Sequence, residues 1–198
     1  MKAIVFVDVQ KDFIDGALRN EQAIAVTPKI VEFAKKCVAD PNCKLYATRD
    51  THVATKYSLN GDAVIDPGGE LVPVSGYYAS LEGKKLPVEH CIEGTDGWMI
   101  DNRLMEVLYG KCTFVNKPTF GSFDLIEIID EDFENKKLDE IVLCGFCTDI
   151  CCISCGLLLR AKFPNTKITV MKDLCAGTTK ENHEAALKVM QSCQIDII

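Results

Sequence analysis

The sequence predicts an α/β fold, a parallel sheet with helices on both faces. Two observations predict it. Short apolar runs rich in Val, Ile and aromatics alternate with longer segments of helical spacing, the pattern of strands joined by crossover helices. The chain has 198 residues, about one domain, enough to remove roughly 70% of its unfolded surface from water. We read a single domain over 1–198.

The elements follow in order. Ala3–Val7 is an unbroken apolar strand, and Lys44–Thr48, Thr113–Asn116, Glu140–Gly145 and Ile168–Met171 read the same way. Ile195–Ile198 is a candidate sixth. Glu21–Val38 places Ile24, Ile30, Val31, Ala34 and Val38 on one helical face, and Gly97–Tyr109 does so with Ile100, Leu104, Val107 and Leu108. Thr178–Met190 opens on Thr178-x-x-Glu181, a capping box. Residues 57–87 hold five Gly and three Pro without sustained periodicity, so we read an irregular insertion there, of a length usually tied to function or disorder.

Composition excludes several classes. Hydrophobic residues make up 47% and charged residues 26%, which rules out disordered and fibrous chains. The 22 Lys+Arg against 29 Asp+Glu give a net charge of −7, with no basic run, against nucleic-acid or anionic-membrane partners. No apolar stretch is long enough to span a bilayer, and the first residues are too short for a signal peptide. The eleven Cys are odd in number and several sit in apolar runs. We read most as reduced, buried small hydrophobes of a cytoplasmic protein.

Ligands of open parallel sheets bind beyond the carboxyl ends of the strands. The first strand ends at Asp8, the second at Asp50 with His52 close behind, the third at Lys117. The fourth leads through Gly145 to Thr148 into a helix beginning near Cys151. One rim therefore collects an acid, an acid–His pair, a Lys and a Cys. A Cys151 thiol at a helix N-terminus has its thiolate favoured by the macrodipole, a nearby Lys lowers its pKa, and a nearby carboxylate can take its proton. The competing reading is one more buried Cys. Likewise Asp8 is either a base or a loop-fixing acid, and Lys117 either a charge partner or a solvated cation.

Asp50-Thr51-His52, with His90 further on, offers a carboxylate and two imidazoles suited to Zn, Fe or Mn. Alone this is equally a polar loop. Cys144-x-x-Cys147 and Cys152-x-x-Cys155 stand too close together for a zinc ribbon. His183, inside the last helical segment, reads as structural. Phe13 and Phe120 are pocket walls or core.

Five pieces taken together resemble one family. They are Val7-Asp8-Val9-Gln10-Lys11-Asp12-Phe13, Arg49-Asp50-Thr51-His52, Pro87-x-x-His90-Cys91, Lys117-Pro118-Thr119-Phe120-Gly121-Ser122-Phe123, and Gly145-x-x-Thr148-Asp149-Ile150-Cys151. In this order they resemble the isochorismatase-like cysteine hydrolases and, within them, the nicotinamidases, across nearly the whole chain. The resemblance implies a three-layer sandwich around a six-stranded, mainly parallel sheet, the isochorismatase-like hydrolase fold. It also implies catalytic Asp8, Lys117 and Cys151, with Cys151 as nucleophile and Asp8 as general base. A cis peptide would fall at Phe146–Cys147, with an oxyanion hole from the N–H groups of Cys147 and Cys151.

The metal would sit on Asp50, His52 and His90, with Phe13 in the substrate pocket. The activity implied is conversion of nicotinamide to nicotinate and ammonia in NAD salvage, through a Cys151 thioester. One divalent ion is implied, zinc first, iron or manganese as alternatives, in a homo-oligomer. The chain departs from the family pattern at Thr51, where an aromatic is frequent, at Cys147, and at Cys152. Three other readings stay open: a hydrolase of the same family for another small amide, a thiol redox or metal-buffering protein, and a catalytically dead binding protein.

Overall fold

The computed structural model describes residues 1–198. The chain begins with β1 (Lys2–Val7), a one-turn helix α1 (Lys11–Ile14) and the long helix α2 (Glu21–Ala39), followed by β2 (Cys43–Asp50). The insertion follows, with the two-residue strands β3 (Ser58–Leu59) and β4 (Asp62–Ala63), a 3₁₀ turn at Tyr77–Ala79 and α3 (Leu81–Lys85). Then come α4 (Asn102–Leu108), β5 (Cys112–Lys117), α5 (Phe123–Phe133) and β6 (Glu140–Phe146). A π-helical turn at Thr148–Cys152 runs into α6 (Ile153–Lys162), and β7 (Lys167–Ala176), α7 (Lys180–Ser192) and β8 (Asp196–Ile197) close the chain.

Six strands form one sheet in the order β5-β2-β1-β6-β7-β8, every neighbouring pair parallel. The last five residues of β1 and all seven of β6 are buried, so both faces are covered, as the unbroken apolar runs require. One set of helices packs α2 against α4, another packs α5, α6 and α7 in succession. One continuous apolar core of 42 buried residues runs through these layers. No helix is long and apolar enough to cross a membrane. The α/β class, the six-stranded sheet and the layering are as the sequence predicts.

The order places β1 at the centre, with β2 and β5 to one side and β6, β7 and β8 to the other. The direction of winding reverses between β1 and β6, and a crevice opens there at the carboxyl ends. At that crevice the two strands come very close. A Cβ on Gly145 would stand 2.0 Å from the Val7 carbonyl oxygen, and Gly145 has φ +126°, so only glycine fits.

Three local expectations are corrected. The helix expected over Gly97–Tyr109 is α4 alone, because Asp101 caps it by accepting from the Arg103 N–H while the residues before it are spent on tertiary bonds. Lys11 N–H donates to the Met99 carbonyl and Asp12 N–H to that of Gly97. The last helix is capped by Thr179, which accepts from Asn182 N–H, not by Thr178, whose hydroxyl is used elsewhere. The insertion is not wholly irregular: Ser80 caps α3 by accepting from Gly83 N–H at 3.0 Å.

Candidate active site

β1, β2, β5 and β6 deliver their terminal residues to one point. Asp8 follows β1 with φ +47°, a left-handed turn that ends the strand. Its Oδ1 accepts from Thr48 Oγ1 at 2.7 Å and its N–H donates to the same hydroxyl. Lys117, the last residue of β5, is fully buried. Its Nζ lies 2.8 Å from Asp8 Oδ2, 3.4 Å from Cys151 Sγ and 3.5 Å from Asp50 Oδ1, and it donates to the Thr119 carbonyl at 3.1 Å. The Asp8 contact is an ion pair outside hydrogen-bond alignment, which leaves Oδ2 without an aligned donor.

Cys151 lies in the π-helical turn, 4% exposed. The Phe146–Cys147 peptide that leads into this turn is cis. Burial pushes the Cys151 thiol well above its ordinary range, and Asp8 adds to this against the opposing pull of Lys117. The helix N-terminus and the Lys117 ammonium, which favour the thiolate, act against that burial. Burial also raises the Asp8 carboxyl, with Asp50 adding to it against Lys117. Burial opposes the Lys117 charge, yet Asp8, Cys151 and Asp50 outweigh it and hold the ammonium well above its ordinary range.

Beside this group four donors converge. Asp50 Oδ2 lies 3.1 Å from His52 Nε2 and 3.4 Å from His90 Nε2, and Glu82 Oε1 lies 3.7 Å from each imidazole nitrogen. All four ligating atoms fall within 4.8 Å of one another. Neighbouring donors bound at about 2.1 Å around one ion stand about 3.0–3.4 Å apart, from six-coordinate to tetrahedral geometry, so the set fits a single divalent cation, and a six-coordinate one keeps positions open for a ligand. His90 Nδ1 lies 2.9 Å from the Val88 carbonyl, which leaves Nε2 to face the cluster. Asp50 is held well below the usual carboxylate range: burial opposes this, but both imidazoles and Lys117 overcome it.

The predicted site residues are thus brought together. Asp8, Lys117 and Cys151 form one contact group, and Asp50, His52 and His90 another, joined through Lys117 and Asp50. Both open to a cavity of about 830 Å³ whose inner wall includes Asp50, His90, Phe13, Cys147 and Cys151. Phe13 meets His90 edge to face at 5.7 Å, and Phe120 lines the cavity at its exposed rim. His183 lies outside both groups, with Nδ1 2.8 Å from Thr148 Oγ1.

Three contributors escaped sequence reasoning. Glu82 comes from α3 in the insertion, where no periodic pattern pointed to it. Gln10 grips the Asp50 backbone, accepting from its N–H at 2.8 Å and donating to its carbonyl at 2.9 Å. Asp12 accepts from Cys91 N–H at 2.7 Å and so fixes the chain beside His90. Gln10 and Asp12 stand in the first of the five family pieces, which gave them no role; Glu82 carried no signal.

Comparison with known proteins agrees with this architecture. The family model for the isochorismatase domain matches residues 2–198. A nicotinamidase/pyrazinamidase from Mycobacterium tuberculosis is 26% identical over 100% of this chain and 98% of that protein. The crystal structure of nicotinamidase/pyrazinamidase PncA from Bacillus subtilis superposes with a TM-score of 0.74 at 22% identity, covering 99% of this chain and 98% of that one. A Pyrococcus horikoshii pyrazinamidase, solved in complex with zinc, gives 0.72 at 22% identity over 100% and 98%.

Proposed function

Since the chain belongs to the isochorismatase family, we propose that it is a metal-dependent nicotinamidase, turning nicotinamide and water into nicotinate and ammonia. One observation carries this reading. A single cavity reaches both the Cys151 thiol and the Asp50, Glu82 and His90 donors, so a small amide can be anchored and attacked in one place.

Cys151 is the nucleophile and Asp8 the general base. As Sγ bonds to the carboxamide carbon, its proton passes to Asp8 and the carbonyl electrons move onto oxygen. The raised pKa values of both groups support proton transfer during attack. The N–H groups of Cys147 and Cys151 hold the oxyanion. The carbonyl re-forms as the C–N bond breaks, and Asp8 gives its proton to the departing ammonia. Water then loses a proton to Asp8 and adds to the thioester, and Cys151 leaves as a thiol, recovering that proton. Lys117 keeps base and nucleophile within reach and its charge offsets the developing thiolate. Asp50, His52, His90 and Glu82 would hold a divalent ion, zinc first and iron or manganese as alternatives, which would supply a Lewis-acid acceptor for the pyridine nitrogen. Phe13 walls the ring. We place the reaction in cytoplasmic NAD salvage, and pyrazinamide, which keeps a ring nitrogen in the same place, is a second substrate.

A second reading keeps the mechanism and gives the enzyme another small amide: the cavity runs on past the site to Arg19, Asn20 and Lys85, polar groups that a substituent on such an amide could meet.

The test is ammonia release from nicotinamide by purified protein, with Cys151→Ala and a chelated sample alongside. Release lost in both controls is expected. No release from metal-replete protein overturns the substrate assignment.

A further inference from the structure

The π-helical turn Thr148–Cys152 carries the nucleophile, and its own bonds all run along its axis. Cys147 precedes it with no side-chain cap. Within the turn, Ile150 N–H and Cys152 N–H both donate to the Cys147 carbonyl, at 3.1 and 3.0 Å. Ile153 N–H, at its end, donates to the Ile150 and Thr148 carbonyls; these bonds run along the axis into α6 and do not hold the flank of the turn.

The turn is instead braced from the side, by α7 and the loop before it. Thr148, fully buried, shares a hydrogen bond of 2.8 Å with His183 Nδ1. Asp149 accepts from Thr178 N–H at 2.8 Å and from Thr178 Oγ1 at 2.5 Å. Asn182 Nδ2 donates to Thr178 Oγ1 at 2.9 Å, and Asn20 Nδ2 to the Gly177 carbonyl at 2.7 Å. Gly177 leaves no space between these parts: a Cβ there would stand 2.7 Å from His183 Cβ and 2.9 Å from Asp149 Oδ1. The braced residues lie between Cys147 and Cys151, whose N–H groups form the oxyanion hole in the mechanism proposed above.

We propose that His183 is a positioning residue for this reaction, holding Thr148 so that the Cys147 and Cys151 N–H groups stay aimed at the developing oxyanion. The inference rests on the Cys151 mechanism proposed above, but not on nicotinamide as the substrate. Oxyanion donors act over a narrow range, 2.7–3.1 Å from the oxygen, and a misplacement of about 1 Å costs about 10²-fold. His183 touches no reacting atom. Its removal therefore slows acyl transfer while leaving ring binding, made by other walls of the cavity, in place.

The experiment compares the metal-loaded wild type with His183→Ala, His183→Asn and His183→Gln. An Asn amide falls near the Nδ1 position and can keep the bond to Thr148, whereas a Gln amide falls near Nε2 and cannot. Steady-state hydrolysis of nicotinamide is expected to lose about 10–100-fold in kcat for the Ala and Gln variants, with KM within about threefold. The Asn variant is expected to recover most of the rate. Nitrophenolate release on acylation of Cys151 by p-nitrophenyl acetate, which needs the oxyanion hole but no pyridine site, should follow the same order. Alkylation of Cys151 by iodoacetamide, which needs no oxyanion hole, should be equal in all four.

Equal kcat in all four, equal losses in Asn and Gln variants with a fall in Tm, or faster alkylation in the Ala variant would each overturn the proposal. A wild type silent on nicotinamide with the acylation order intact overturns the substrate reading alone. No acylation of wild-type Cys151 overturns both the nucleophile and this role.

Discussion

Gln10 clasps the backbone of Asp50 at both polar atoms, accepting from its N–H and donating to its carbonyl. The second hydrogen of its amide goes to the Trp98 carbonyl at 2.9 Å, and the residue is fully buried. Asp50 faces both groups of the site, with Oδ1 toward Lys117 and Oδ2 toward the imidazoles. Gln10 thus sets the position of the link between the nucleophile group and the metal cluster.

Gln10→Ala removes that clasp without touching a ligand. Loss of an outer partner of this kind typically costs 10–100-fold in metal affinity. We expect zinc affinity, read by competition with a chromophoric chelator, to fall by about that factor. Activity should return on adding excess metal. Unchanged affinity would mean that β2 alone positions Asp50.

Glu82 is the fourth donor of the cluster. Glu82→Gln keeps the shape of the side chain but removes its charge. Burial raises the Glu82 carboxyl, and Asp50 adds to it against His52, so a cation is the partner that makes its ionised form favourable. The expected outcome is a loss of about tenfold or more in zinc affinity, with the Tm of metal-free protein unchanged or higher. The paired measurement is a thermal melt with and without zinc. A gap between the two melts as large as in wild type would remove Glu82 from the ligand set.

Much of this site was legible because its residues sit at strand ends. Apolar runs locate β1, β2, β5 and β6, and the residue after each run is carried to the same rim by a parallel sheet. Asp50 and His52 are two apart in extended chain, which turns both to one side. Glu82 was not legible. Its helix has five residues within a Gly- and Pro-containing insertion, and its approach to the imidazoles is set by tertiary packing around Tyr77. That ring lies 5.0 Å from His52 and 5.2 Å from His90. The burial of Cys151 was hidden for a related reason: sequence shows which charges stand near the sulfur but not how completely water is excluded, and the residue is only 4% exposed.

Asp8→Asn tests the base. The amide keeps the hydrogen-bonding shape toward Thr48 yet cannot accept the thiol proton. Removing a positioned general base typically costs 10²–10⁴-fold. A fall in kcat of at least about 10²-fold is expected, with KM for nicotinamide little changed and zinc still bound. A loss below about tenfold would assign proton transfer to another group.

At the opposite end of the sheet, Glu140 offers a test of stability instead of activity. Its carboxylate meets Lys2 Nζ at 2.8 Å and Lys167 Nζ at 3.0 Å and accepts from Thr169 Oγ1 at 2.7 Å. Burial opposes its charge, but Lys2, Thr169 and Lys167 overcome it and hold the carboxyl at about 2, against an ordinary 4.5. The folded pKa is the lower one, so the stabilisation is fully present above the ordinary pKa. It is lost as pH falls from about 5 toward about 2. Lys2 and Lys167 stand half in water, so screening reduces the full linkage to about 1–2 kcal/mol. Glu140→Gln should lower Tm by about 2–8 °C at pH 7, and the two melting curves should converge as pH approaches 2. A difference in Tm that stayed constant from pH 7 to pH 3 would trace the loss to the Thr169 bond and packing, not to the charge.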